Sequence, residues 1–445
     1  MDIPDVHYAR AGGVAVAYQA VGEGPQTLVV SPQISDLATI WLSRDTRYFL
    51  DRLAEHLRLV VLNPRGTGFS DRPRNVTLEA RMDDITSVLD DLDVARASLM
   101  GISTSANVCA LFAASFPDRV ERLILAHPFP RGIQSESYPW GFDDGWWHAW
   151  LREVRQRWGD RDFLDRYART MAPHLSDDAN EIDLLVLGCR LALSPTAAHD
   201  WFRVGMETDI VDILGSIRVP TLVLHHPDDP ANLTHGAGPA HFVAERIRDS
   251  HTVALGIDGS PFSREAVDAI LEFLGGEAPL TVPDSVLATV LFTDLVGSTA
   301  RAAQLGDRAW RDLLTRHHAD VRRELARFRG EEVDTAGDGF FCRFDGPARA
   351  MTCARAIVDG ATAHGLDVRS GIHTGECELV GDKITGISVV TGSRISSLAE
   401  PGEVLVSSTV KDLVAGSGFS FDDRGEHELK GVPGTWRLYA VAGAS

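Results

Sequence analysis

The 445-residue sequence has no apolar run near the ~18 residues needed to span a bilayer. Its first ten residues, MDIPDVHYAR, hold no apolar core of the kind that directs secretion. Cysteine is scarce: Cys109, Cys189, Cys342, Cys353 and Cys377 are scattered, with no C-x-x-C pair. That spacing is read as reduced thiols in a cytosolic protein, with no zinc site. Positive charge is also short. Lys and Arg total 43 against 63 Asp and Glu, a formal net charge of −20. This excludes a general nucleic-acid surface and adhesion to anionic membranes. Small anionic ligands remain possible, since they need only a local cluster of Arg and Lys. Internal repeats and low-complexity tracts are lacking as well.

What is present is ordinary for a globular chain: 44% apolar and 24% charged residues. The length calls for two or three domains. Residues 1–275 alternate short apolar strands (VAVAYQA, TLVVSP, LRLVVLN, ASLMGI, VERLILAH, TLVLHH, HTVAL) with amphipathic helices, the pattern of a mostly parallel α/β sheet. Between LILAHPFP and VPTLVLHH, at about residues 131–215, the text turns aromatic and helical, as in YPWGFDDGWWHAWLREVRQRWGDRDFL. An insertion there is expected to form a cap over the strand ends. Gly275–Ser285, GGEAPLTVPDS, reads as linker, assigned to 276–286. Residues 287–445 then run strand, long helix, paired strands, helix, strand, helix, strand. That order predicts a second, α+β domain of ferredoxin-like type.

In the second domain, FTDLVGST (292–299) and TAGDGF (335–340) each place one aspartate at a strand end beside small residues: Asp294 and Asp338. Asp often caps turns, and either motif alone is weak. Two such turns side by side would bring two carboxylates together, which repel unless cations lie between them. The pair thus suggests a two-metal site.

From these motifs, residues 287–441 resemble the class III nucleotide cyclases. The resemblance implies conversion of a nucleoside triphosphate, ATP by default, into a 3′,5′-cyclic nucleotide and pyrophosphate. It implies two Mg²⁺ or Mn²⁺ ions per site and a head-to-tail homodimer with the site at the interface. Asp294 and Asp338 match the family's metal ligands. Arg394 in TGSRI matches its transition-state arginine, and Lys430 in LKGVPGTW its phosphate-binding lysine. The pattern departs at three positions. The base-recognition residues are Asp334, where the family typically has Lys, and Lys383, where it has Asp or Thr. Val390 stands where a ribose-orienting Asn is usual. Two arrangements satisfy the exchanged pair: one acceptor and one donor facing the base edge, which suits adenine or cytosine and, in a shifted form, guanine, or a salt bridge with no base contact. GTP, CTP and UTP therefore remain alternatives to ATP.

In the first domain, NPRGTGFSDRP (63–73) and LMGISTSANVC (99–109) resemble the α/β-hydrolases. The second stretch has the strand-to-helix form of a nucleophile elbow, with Ser103 at the corner and Ser105 for the usual last glycine. Asp229 in PDDPANL fits the family's acid. The histidine is lacking: in GIDGSPF, Gly259 occupies its place. A serine hydroxyl without a base is a poor nucleophile. The site Ser103, Asp229, Gly259 is therefore read as degenerate. His225 and His226 end the acid-bearing strand, and His226 is the histidine to test as a substitute; His251 begins the last strand, at the opposite end of the sheet. Ser-Pro in VVSPQISD stands where many members of that family have a His-Gly or Pro-Gly turn on the oxyanion side. Trp140, Trp146, Trp147 and Trp150 are expected to line a pocket between core and cap.

The whole chain resembles bacterial fusions of an α/β-hydrolase-like domain with a class III cyclase. The expectation is a cytoplasmic, homodimeric cyclase, with no nucleic acid or membrane partner. Its N-terminal pseudo-hydrolase would bind an unknown small molecule and regulate it. Two alternatives stay open: an esterase joined to a cyclase, and a binding protein with both domains inactive.

Overall fold

The computed structural model describes residues 3–73, 76–226, 237–256, 259–276, 285–380 and 383–442. The chain divides into two compact units, Met1–Pro283 and Asp284–Ser445. No described helix is long and apolar enough to cross a membrane. All five cysteines are buried and unpaired.

The first unit is built on β1 (His7–Ala11), β2 (Val14–Val21), β3 (Thr27–Ser31), β4 (Arg58–Leu62), β5 (Ala97–Ile102), β6 (Val120–Ala126), β7 (Thr221–His225) and β8 (Ser250–Ala254). They form one sheet in the order β1-β2-β4-β3-β5-β6-β7-β8. β1, β2 and β4 pair antiparallel, and every later pairing is parallel. Helices cover the sheet, so central strands such as ASLMGI are buried at every residue and read as continuous apolar runs. β1 escapes that pattern. It is an edge strand, HYARA, largely exposed, and no apolar run announces it.

Helices α1 (Arg44–Ala54), α2 (Leu78–Asp91) and α3 (Thr104–Ser115) connect the early strands; α8 (Ala237–Ala244) and α9 (Arg264–Gly275) close the unit. α3 is buried from Ser105 to Ala114, so its small apolar residues show no polar face. Between β6 and β7 stand α4 (Asp144–Arg157), α5 (Arg161–Met171), α6 (Ala179–Ala192) and α7 (Pro195–Glu207). Each starts at an Asp or Ser, namely Asp143, Asp160, Asp178 and Ser194, whose side chain accepts a backbone N–H of the first turn. These four helices share their own core of Trp147, Trp158, Phe163, Trp201 and Phe202.

The second unit runs β9 (Ser285–Leu295), α10 (Ser298–Leu305), α11 (Asp307–Arg327), β10 (Glu331–Ala336), β11 (Gly339–Phe344), α12 (Pro347–Ala363) and β12 (Val368–Val380). It continues with β13 (Lys383–Thr385), α13 (Ile387–Leu398), β14 (Val404–Ser407), α14 (Ser408–Leu413), β15 (Ser420–Glu428) and β16 (Thr435–Ala442). The sheet order is β10-β11-β9-β12-β14-β16-β15, with β13 paired to β12. Its first four strands have the βαββαβ connectivity of a ferredoxin-like fold. Alternation sorts β9: Leu291 and Leu295 join α11 and α12 in one core, while Ala288 and Val290 join a second core with Val389 of α13. Asp294 is in phase with Val290 and belongs to the α13 side.

Candidate functional site

Two sites emerge, one in each unit. In the second unit, Phe340 of β11 is paired with Thr293 of β9, so the turn at Gly337 and Asp338 lies beside the end of β9 that carries Asp294. Neighbouring strands lie only about 4.8 Å apart, so this register brings the two aspartates to one sheet end. Their surroundings differ. Asp294 receives the Arg369 guanidinium, with Nε at 3.0 Å and Nη2 at 2.5 Å from Oδ2. Arg369 is the register partner of Asp294 on β12. It also donates to the Ser397 carbonyl of α13 at 3.3 Å. Asp338 Oδ2 is buried with no hydrogen-bond partner. A buried carboxylate oxygen left without a donor is costly, and a cation satisfies it. The donor set is thus suited to hard divalent cations, which favour carboxylate oxygens. Among the described residues no cluster of three or more His, Cys, Asp or Glu groups forms a ready metal cage.

His317 and His318 of α11 lie within electrostatic reach of Asp338. Burial pushes the His317 pKa down to about 4, so its ring is neutral near pH 7. Neither histidine is foreseeable as a neighbour of Asp338, because only the packing of α11 on β11 brings them there. Arg369 is hidden for a similar reason: the register of β9 against β12 has to be known first.

α13 carries Arg394, whose Nε donates to the Lys430 carbonyl at 3.0 Å. The structure therefore brings together the two cationic positions expected at phosphate, Arg394 and Lys430. α13 can lie this low because glycine faces it: a Cβ on Gly371 would come within 2.1 Å of Ser396 N. Ile387 and Val390 of α13 are exposed apolar residues, 53% and 37% accessible. Asp334 and Lys383 are both exposed, on β10 and β13. β11 and β9 separate β10 from β12, on which β13 pairs. No ion pair joins Asp334 and Lys383 among the described residues, so the salt-bridge arrangement is not formed within one chain.

In the first unit, Ser103 sits between β5 and α3 with φ 54° and ψ −122°, a conformation L-residues rarely adopt. Its N–H donates to the Ala126 carbonyl, and its own carbonyl accepts from Ala106 N. The turn is so tight that a Cβ on Gly101 would stand 2.5 Å from Ala106 Cα. Ser105, in the place of the pattern's last glycine, is buried, and its hydroxyl donates to the Pro32 carbonyl at 2.8 Å.

Ser103 opens on a cavity of about 230 Å³ that also touches His127, His174, His226 and Gly259. His174 Nε2 contacts Asp45 Oδ2 at 3.1 Å, and this hydrogen bond holds the Asp45 carboxyl below its usual range. Asp229 lies outside the described residues. Gly259 has φ +54° and no side chain; a Cβ there would fall 1.8 Å from His226 Cδ2. His251 lies near the start of β8 and packs on Phe273.

The expected tryptophan lining is corrected by the structure: none of Trp140, Trp146, Trp147 and Trp150 touches the cavity. They pack on other aromatics instead. Trp146 stacks on Phe142 at 4.1 Å and on Trp150 at 5.8 Å, and Trp140 meets Tyr138 and Phe242 edge-on. Large rings gain more from one another than from a small void. The cap's contribution to the wall comes from α5, α6 and the turn between them, including Tyr167, Met171, His174, Leu184 and Leu185.

Comparison with known proteins agrees with this division. Residues 40–233 match the family described as alpha/beta hydrolase fold, and residues 282–443 the family described as adenylate and guanylate cyclase catalytic domain. An adenylate cyclase from Podospora anserina is 26% identical over 244 residues, covering 40% of this chain and 11% of that one. A receptor-type adenylate cyclase from Trypanosoma congolense is 29% identical over 220 residues, covering 38% and 29%. The chain thus spans under a third of the length of either relative. A solved hydrolase from Pseudomonas aeruginosa PA01 superposes with TM-score 0.51 at 24% identity, over 62% of this chain and 100% of that one, a likeness of fold. The chain carries an alpha/beta hydrolase fold domain followed by an adenylate and guanylate cyclase catalytic domain.

Proposed function

We propose that the second unit is a nucleotide cyclase, converting a nucleoside triphosphate, ATP by default, into the 3′,5′-cyclic nucleotide and pyrophosphate. The ribose 3′-oxygen forms the new bond to the α-phosphorus as the bond to the departing pyrophosphate breaks. Asp294 and Asp338 would hold two Mg²⁺ or Mn²⁺ ions, which when bound lower the cost of deprotonating the 3′-hydroxyl and neutralise phosphate charge. Arg394 and Lys430 stabilise the phosphate oxygens, one as a planar fork and one as a point charge. Asp334 accepts from an exocyclic amine of the base and Lys383 donates to its ring edge. Val390 cannot hydrogen-bond the ribose, so turnover is slow.

The observation that carries this reading is the Asp338 oxygen, buried and unpartnered at the same sheet end as Asp294. A head-to-tail homodimer fits the apolar Ile387 and Val390 left exposed on α13. The first unit is read as the regulatory module of a cytoplasmic signalling enzyme, binding a small, mainly apolar ligand in the Ser103 cavity. The test is incubation with ATP, GTP, CTP and UTP in turn, with Mn²⁺ or Mg²⁺, and mass-spectrometric detection of cyclic products. One of the four is expected to yield product, and Asp294→Ala to yield none. No product from any nucleotide overturns the cyclase; product persisting in Asp294→Ala overturns the metal assignment.

A further inference from the structure

The loop after β8 has no histidine to offer Ser103, yet the space for one is filled. A Cβ on Gly259 would meet His226 Cδ2 at 1.8 Å, Cγ at 2.5 Å and Nε2 at 2.6 Å. These are impossible contacts, so the two positions are complementary. The imidazole of His226, the residue after β7, lies where a side chain at 259 would begin, and it can lie there only because 259 is glycine. His226, Gly259 and Ser103 all line the same cavity. Ser103 keeps the strained backbone of the elbow, an outlier of the kind found at active sites, ligand clamps and switch regions. Ser103 is the residue before α3; of the first-turn N–H groups, that of Ala106 is taken by the Ser103 carbonyl, while those of Thr104 and Ser105 have no acceptor within the helix.

We propose that His226 is the general base for Ser103, a nucleophile–base pair relocated from the last loop to the end of β7, and that the cavity takes an ester with a small apolar acyl group. The acyl preference follows from the wall, which includes Ile34, Ile40, Leu50, Met171 and Leu185. The Ser103 hydroxyl oxygen attacks the ester carbonyl carbon while its proton passes to the His226 ring. The carbon–oxygen bond to the alcohol then breaks, and the departing oxygen takes that proton. Water attacks the acyl-serine, its proton passing to His226 and on to the Ser103 oxygen as the carboxylic acid leaves. The Thr104 and Ser105 N–H groups stabilise the oxyanion in both steps. Among the described residues no hydrogen bond joins Ser103 to His226; such contacts commonly tighten only once substrate is seated.

This proposal rests on the reading that the cavity binds a ligand, and its test separates the two. The full-length protein is treated with a fluorophosphonate probe, which marks activated serines, and hydrolysis of p-nitrophenyl butyrate is followed across pH. An adduct on Ser103 is expected, absent in Ser103→Ala. Both labelling and hydrolysis should fall about 10²–10⁴-fold in His226→Ala and in His226→Gln, the range of a general base. His251→Ala, remote from the cavity, should leave them unchanged. An unlabelled wild type, labelling unchanged in both His226 variants, or dependence on His174 in place of His226 overturns the proposal. Thermal stabilisation of Ser103→Ala by the same ester reports binding alone. If it is seen while the wild type stays unlabelled, the ligand-binding reading stands and the base assignment falls; if neither is seen, both fall.

Discussion

At the scale of single residues, His373 shows what burial costs. It sits on β12 with Nδ1 at 2.9 Å from the Ser407 hydroxyl oxygen and Trp436 edge-on to its ring. Burial pushes its pKa from 6.5 down to about 4. The unfolded chain takes up a proton as pH falls through about 6.5, and the folded chain does not until about 4, so stability is complete above that window and is lost on descending through it. The expected loss is about 2–3 kcal/mol by pH 4. His373→Gln should flatten this dependence in thermal melts between neutral and acid pH. Ser103 stores strain of another kind. At φ 54° glycine is at ease and serine is not. Ser103→Gly is expected to stabilise the first unit by about 1–2 kcal/mol in denaturant titration.

At the scale of elements, α13 is held by missing side chains. Gly371 admits Ser396 N, and Gly392 admits Val290, whose Cγ2 would be 2.6 Å from a Cβ there. Gly371→Ala should therefore cost about 1–3 kcal/mol of overpacking, read by chemical denaturation, and lower cyclic-nucleotide yield by displacing Arg394. Elements with internal periodicity were legible from sequence alone. α11 and the paired strands β10 and β11 announce themselves by apolar spacing, and the elbow by its small residues. β1, HYARA, and β15, SFDDRGEHE, did not, since exposed edge strands carry polar residues that alternation hides. Nor did the partner of Asp294: Arg369 is 75 residues away and reaches it only through strand register. The tryptophans misled because composition reveals aromaticity but not whether a ring faces a void or another ring.

At the scale of the whole molecule, a shared active site has an arithmetic signature. Asp294→Ala and Arg394→Ala should each be inactive alone. If one copy supplies the aspartates and the other the arginine, mixing them restores about a quarter of wild-type activity, because half the dimers are mixed and each holds one intact site. Recovery measured after co-refolding checks this; none is expected if both residues act within one chain. The domain types were readable from motifs; the cavity's true wall and the approach of His226 to Gly259 were not, because both depend on which loops meet in space. The complementarity of Gly259 and His226 also reaches beyond catalysis. Even an alanine at 259 would evict the ring, so the effects of changes at 226 and 259 should be strongly non-additive. Evolution would then have to treat the two as one locus: a lineage that regained a side chain on the last loop would first have to surrender the imidazole on β7, and each route back passes through an intermediate that fits neither arrangement.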